Sequence, residues 1–263
     1  MAAIEISGVR KVFRNATSGD ELVSLEGIDL AVASNDFLCL LGPSGCGKST
    51  LLNMIAGFET PSAGTVAVDG QAVSSPGADR GMVFQQPTLM PWLPVWENVA
   101  FHLRLKGASR RARREAAATY IDMVGLTGFA DHYPAQLSGG MSQRVGIARA
   151  LLMNPRVILM DEPFGALDEQ TKMEMQTELV RIWEHHRGTI VFVTHGIDEA
   201  LTLGTHIAVM SARPGRIKAL LPVDLPRPRD VTSPRFNDYK RHLLSLLRGE
   251  EAGSLPASLA VPA

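Results

Sequence analysis

Cysteine is nearly absent from this sequence, with two among 263 residues. Cys39 lies in a strand-like apolar run and Cys46 in a glycine-rich loop, so neither suits a disulfide framework and a reducing cytoplasm is expected. Charge of one sign is not in excess either. The formal net charge is -1, which gives nucleic-acid binding no electrostatic footing. No apolar run reaches the roughly eighteen residues that a membrane-spanning helix needs. The first residues, "MAAIEISGVRKVF", also lack the apolar core of a signal peptide. The expectation is a chain that does not cross a membrane by itself. What is present suits a globular core, since 45% of residues are hydrophobic and 20% charged. The length fits one large α/β domain or a domain with a subdomain.

Two kinds of strand can be told apart. "EISGV", "GIDLAV" and "GTVAVDG" alternate apolar with polar residues, the last closing on an Asp-Gly turn signal. "FLCLL", "VILM" and "TIVFVT" are almost unbroken apolar runs, as parallel strands covered on both faces require. Between them, Ala117, Tyr120, Ile121 and Val124 share one helical face, as do Met175, Leu179, Ile182 and Trp183. The alternation predicts a parallel α/β core with an antiparallel strand layer. From about Trp96 to Leu152 no strand pattern occurs, so residues 96–152 are expected to be a helical subdomain within a domain of residues 1–224. Residues 225–263 read as a short tailpiece. It comprises a proline-punctuated linker, "LPRPRDVTSPRF", an amphipathic helix near Asn237–Leu247, and a disordered end, "GSLPASLAVPA".

"GPSGCGKST" comprises Gly42, Pro43, Ser44, Gly45, Cys46, Gly47, Lys48, Ser49 and Thr50. It fits G-x-x-x-x-G-K-[ST] between the strand "FLCLL" and the apolar helix "LLNMIAG". The glycines let the backbone curl until successive N–H groups point at phosphate oxygens. Lys48 is expected to reach the β- and γ-phosphates, and the Ser49 hydroxyl to join a Mg²⁺ shell. This loop alone leaves kinases, GTPases and ATPases open.

Asp161 follows "VILM", at the carboxyl end of a buried strand, where α/β sheets put their ligands. It is expected to hold Mg²⁺ through water. Glu162 comes next and is a candidate general base for an attacking water. By itself it reads equally well as a helix-start carboxylate. A second anion-binding turn lies in "LSGGM", where Ser138, Gly139 and Gly140 head an amphipathic helix.

Six motifs in order, "GPSGCGKST", "VFQQ", "LSGGM", "VILMDEP", "GALD" and "VTHG", resemble those of the ATP-binding-cassette (ABC) ATPases over about residues 4–224. The resemblance implies a P-loop NTPase core, mainly a parallel sheet flanked by helices, with an antiparallel β layer and an inserted helical subdomain. It implies ATP and Mg²⁺ as cofactors and a head-to-tail homodimer. Each ATP would lie between one subunit's phosphate loop and the other's signature turn, Ser138 to Met141. Phe13 then matches the aromatic that stacks on adenine. Gln85 matches the glutamine that senses Mg²⁺ and the water, and His195 the histidine that contacts the γ-phosphate. Asp168 matches the loop that links the two active sites across the dimer. Without the resemblance, Phe13 reads as a core aromatic, Gln85 as a solvated turn residue and His195 as a structural histidine. Met141 departs from the commonest form, "LSGGQ", and removes a side-chain amide. The anion-binding groups are the Ser138 hydroxyl and the two glycine N–H groups, so the turn is expected to work.

"PGADRGMVFQ", "LMPW", "DEPFGALD" and "SARPGRI" together resemble the nitrate/sulfonate/taurine/bicarbonate group of bacterial importers. That likeness implies an ATPase subunit peripheral to the cytoplasmic face of the inner membrane. Its partners would be polytopic permease subunits and, indirectly, a solute-binding protein, with no nucleic acid. The permease's coupling helix is expected on the charge-poor stretch from Gln85 to Trp96, with Trp92 as a contact. "RRARR" (110–114) reads as a solvated helix face rather than a lipid or nucleic-acid surface. The alternative is a soluble ABC ATPase not coupled to transport, of the DNA-repair or translation kind. Such chains normally carry a coiled-coil insertion or two cassettes. A P-loop kinase or switch GTPase would lack "LSGGM" and the "VTHG" histidine.

Overall fold

Phe37–Leu41 and Thr189–Thr194 are buried at every position, as an apolar run without alternation demands. The computed structural model describes residues 2–14, 19–186 and 188–249, and the expected disordered end lies outside them. In chain order the elements begin with β1 (Ala2–Arg14), β2 (Glu21–Ala33), β3 (Phe37–Leu41), α1 (Lys48–Ala56), β4 (Ala63–Val68) and β5 (Gln71–Ala72). Next come β6 (Arg80–Val83), α2 (Val95–Val99), α3 (Phe101–Leu105), α4 (Arg110–Met123), α5 (Gly139–Leu152), β7 (Val157–Asp161) and α6 (Glu169–His186). The rest are β8 (Thr189–Thr194), α7 (Ile197–Leu203), β9 (His206–Met210), β10 (Ile217–Pro222) and α8 (Pro234–Arg248). Two compact units result, Met1–Gly77 with Thr189–Ala263, and Ala78–Gly188. Among the described residues no helix is long and apolar enough to cross a membrane.

The first unit holds the antiparallel layer in the order β2-β1-β4-β5. β1 and β2 run well beyond the short alternating stretches read from the sequence. Gly8 and Gly27, at φ 57° and 61°, sit at register shifts where bulges bend the pair without ending it. Asp69 and Gly70, at φ 48° and 74°, make the tight turn into β5, as an Asp-Gly pair between strands should. Beside this layer run β10-β9-β3-β8, with β3 parallel to β8 and β9, and β10 antiparallel to β9. Leu41 pairs with Thr194, so β3 and β8 end together.

The stretch expected to be a linker is tied down instead. Arg227 donates to Thr202 O at 3.1 Å and Arg229 to Gly204 O at 2.6 Å, filling acceptors that the end of α7 cannot satisfy itself. α8 starts earlier than its apolar periodicity suggests, because Ser233 caps it and Pro234 opens it. It buries Phe236, Tyr239, Leu243 and Leu246.

In the second unit β6 and β7 are parallel, with Val83 opposite Met160. Between Val95 and Leu152 the described residues form helices and one 3₁₀ turn, Pro134–Gln136, and no strand. Ala117, Ile121 and Val124 are buried, as are Met175, Leu179 and Ile182. The "RRARR" face is solvated as expected, with Arg110, Arg111 and Arg114 exposed and Arg113 half-buried. Arg110, Arg113 and Arg114 place their guanidinium carbons 5.7, 5.6 and 5.4 Å from the centre of the Trp96 ring. The electron-rich ring attracts these cations while Arg110 and Arg114 stay exposed.

Candidate functional site

Each unit presents its chemistry where its parallel strands end. In the first, the phosphate loop leaves β3 and His195 leaves β8, on neighbouring strands whose last residues are in register. The loop closes on itself. Lys48 is 5% exposed, and its ammonium donates to Gly42 O at 2.7 Å and Pro43 O at 3.0 Å. Gly45 and Gly47 have φ 73° and 97°, and a Cβ on Gly47 would lie 2.5 Å from Leu25 Cδ2. Side chains are therefore excluded where the backbone curls, which suits a cradle for phosphate. Arg213, from "SARPGRI", donates through Nε to Gly45 O at 3.0 Å and braces the loop. Phe13 is a surface aromatic on β1, not the core residue that its hydrophobicity alone suggests, and the Lys11 ammonium sits 4.9 Å from its ring centre. His195 is exposed between β8 and α7.

In the second unit, Gln85 follows β6 and Glu162 follows β7, again from paired strand ends. Glu162 has φ 43°, a left-handed backbone that costs a non-glycine residue energy and gathers at working sites. The turn after it is held by Gly165 N donating to Glu162 O at 3.1 Å. Asp161 ends β7 and carries a hard oxygen donor of the kind that Mg²⁺ takes. Asp168 caps α6, accepting from Thr171 N at 3.0 Å and Thr171 Oγ1 at 2.7 Å. Those two bonds, the backbone one first, hold its carboxyl below the usual carboxylate range.

The signature turn heads α5. Ser138 is the N-cap, its hydroxyl accepting from Met141 N at 3.2 Å, and Ser138 and Gly139 are exposed. Residues further along α5 reach the segment that carries Gln85. Gln143 Nε2 donates to Phe84 O at 2.9 Å, and Arg149 Nη1 to Thr88 O at 2.7 Å. Asn98, fully buried, knits the following loop by accepting from Met90 N and donating to Met90 O, Leu93 O and Pro94 O. No periodicity marks these three polar residues, and sequence reasoning passed over them. The charge-poor stretch divides: Trp92 is 71% exposed, whereas Trp96 is 2% exposed and belongs to the core.

A phosphate loop, an acidic pair after a buried strand, a glutamine segment and a serine–glycine helix head define the ATP-binding cassette class. The family model described as ABC transporter matches residues 25–165, and the chain belongs to that family. The nitrate import ATP-binding protein of Synechocystis sp. is 46% identical over 94% of this chain and 96% of its own. The taurine import ATP-binding protein of Rhizobium johnstonii is 46% identical over 91% and 95%. Among solved structures, a dimeric ATP-binding cassette in a post-hydrolysis state, bound to ADP and Pi, superposes with a TM-score of 0.76. It is 34% identical, covering 84% of this chain and 98% of that one.

Proposed function

We propose that this chain is the ATP-hydrolysing subunit of an importer for a small anion such as nitrate, an aliphatic sulfonate, taurine or bicarbonate. It works as a head-to-tail homodimer at the cytoplasmic face of the membrane, coupled to permease subunits through the surface around Trp92. The observation that carries this reading is the pairing, in one chain, of a closed phosphate loop with a Ser138–Gly140 turn at a helix start, where Ser138 and Gly139 are exposed. One chain needs both when each serves a different nucleotide. Lys48 and the loop N–H groups bind phosphate, and Phe13 stacks on the base. Glu162 accepts the proton of the attacking water, Gln85 orients that water, and His195 contacts the γ-phosphate. Ser49 directly, and Asp161 through water, would hold Mg²⁺, which neutralises phosphate charge when bound. The partner's Ser138–Gly140 turn closes over the γ-phosphate, and Asp168 joins the two sites. The two nitrate and taurine relatives support the importer reading over a soluble ABC ATPase.

Replacing the base tests the hydrolytic core. Glu162→Gln keeps ATP binding but lowers turnover about 10²–10⁴-fold, because an amide cannot take the water's proton. ATP then holds the dimer closed long enough to see by size-exclusion chromatography. Near-normal hydrolysis refutes the assignment. Co-purification with a polytopic membrane protein tests the coupling, and its failure favours the soluble alternative.

A further inference from the structure

The stretch Thr194–Leu203 is held at both ends by polar contacts that nucleotide binding does not use. Thr194 is 1% exposed and Glu199 7%. The Thr194 hydroxyl donates to Glu199 Oε2 and accepts from Gly196 N at 2.9 Å. Both neighbours of His195 are thus tied to one another and to the first turn of α7. A buried carboxylate bonded in this way is a fixed point, since breaking the bond gives up a charge-assisted contact away from water. Its place near the amino end of α7 also suits a negative charge.

The trailing end is gripped by the proline-punctuated segment. Arg227 donates to Thr202 O at 3.1 Å and Leu203 O at 2.5 Å. Arg229 donates to Leu201 O at 2.5 Å and Gly204 O at 2.6 Å. Cations there match the negative end of the helix dipole. Burial first, then Arg227 beside it, pushes the Arg229 pKa down to about 10, so it stays charged at neutral pH. From α8, Lys240 adds a bond to Asp198 at 2.8 Å.

We infer that α7 is a splint for His195, with Thr194, Glu199, Arg227 and Arg229 as positioning residues for ATP hydrolysis. The inference rests on the reading of His195 as the γ-phosphate contact. His195 stands between Thr194 and Gly196, and the direction of its backbone depends on what holds those two residues. A displacement of about 1 Å at a catalytic group costs up to about 10²-fold in turnover. Apart from His195, the groups of this subunit assigned to its own ATP's base and phosphates lie on the phosphate loop and β1, so binding is largely spared. "LPRPRD" thereby gains a task in hydrolysis.

The test uses paired variants in the full-length chain. Thr194→Val keeps volume and removes the hydroxyl, while Thr194→Ser restores it. Arg229→Ala releases the trailing end, while Arg229→Lys keeps the charge. Thr194→Val and Arg229→Ala should each lower kcat about tenfold, with KM for ATP changed by less than about twofold. The Ser and Lys variants should recover most of the loss. Adding either damaging change to His195→Ala should lower single-turnover phosphate release no further, because the group being aimed is gone. Normal turnover in Thr194→Val and Arg229→Ala, with His195→Ala inactive, overturns the splint and leaves His195 in its role. Full activity of His195→Ala overturns the role itself. A further multiplicative loss in the double variants marks a general structural effect and also overturns the splint. Should Thr194→Val not fold, the Arg229 pair carries the same comparison.

Discussion

The phosphate loop encloses its cation, with Lys48 bonded to Gly42 O and Pro43 O, whereas the signature turn holds Ser138 and Gly139 at the surface. Their glycines differ in kind. Gly45 and Gly47 sit at positive φ, and Gly47 has no room for a Cβ, so the fold itself demands glycine there. Gly139 has an ordinary backbone and would place a Cβ in open space. Nothing in its own unit requires a residue that weakens a helix. In the proposed dimer the partner's ATP supplies the need for smallness there. In that dimer one turn is finished within the subunit and the other is half of a site.

The strongest way to break that comparison is to damage each half in a different subunit. Lys48→Ala removes a charge-assisted phosphate contact, and Gly139→Asp sets a negative charge and bulk beside phosphate. Each homodimer is expected to lose essentially all hydrolysis, because both of its sites carry one damaged half. Mixing the two variants forms heterodimers with one doubly damaged site and one intact site. Activity should return in proportion to the heterodimer population, with nucleotide trapping at the intact site as a second measure. No activity and no trapping in confirmed heterodimers would sink the shared site.

Most of the architecture was legible because burial imprints itself on pattern. The unbroken runs at β3, β7 and β8 are apolar since both faces are covered, and alternation in Ile28, Leu30 and Val32 marks the one-sided layer. The phosphate loop was legible too, since its glycines answer to backbone geometry within nine residues. The bracing contacts were not. Gln143 to Phe84, Arg149 to Thr88 and Arg229 to Gly204 join residues whose neighbourhood exists only after folding, and a lone polar residue on a helix looks the same whether it braces or faces water. The docked Arg227–Arg229 stretch was hidden for a further reason. Its prolines carry the signature of a free linker, while the arginines that hold it are common in linkers as well.

A smaller effect sharpens the comparison through the glycines themselves. Gly47→Ala would drive its Cβ into Leu25, at a φ that alanine adopts only with strain. ATP affinity of the isolated subunit should fall at least about tenfold, since strain of about 1–3 kcal/mol falls on the loop that must stay curled. Gly139→Ala should leave monomer affinity and melting temperature nearly unchanged while impairing ATP-dependent dimerisation. Equal losses of monomer affinity in the two variants would erase the distinction between a finished turn and a half-site.

The smallest expected effect separates two tasks within one side chain. Ser138 caps α5 by accepting from Met141 N, and in the proposed dimer the same hydroxyl meets the partner's γ-phosphate. Alanine and glycine both delete the hydroxyl, but they differ as caps. Ala at an N-cap costs about 1 kcal/mol, while Gly costs only a few tenths, because its backbone can turn and admit water to the exposed N–H groups. Ser138→Ala should therefore lower the melting temperature by a few degrees and Ser138→Gly by less, in line with about 1 kcal/mol spread over a domain of this size. Turnover should not follow that order. If the hydroxyl contacts phosphate, both variants lose hydrolysis equally, and Ser138→Thr, which keeps cap and hydroxyl, retains more than either. If Ser138 only caps, hydrolysis tracks stability, and Ser138→Gly stays close to the parent chain. Calorimetry and steady-state phosphate release on the same preparations distinguish the two. A glycine variant that is stable yet inactive places the missing oxygen at the nucleotide, and one that is stable and active removes Ser138 from the shared site.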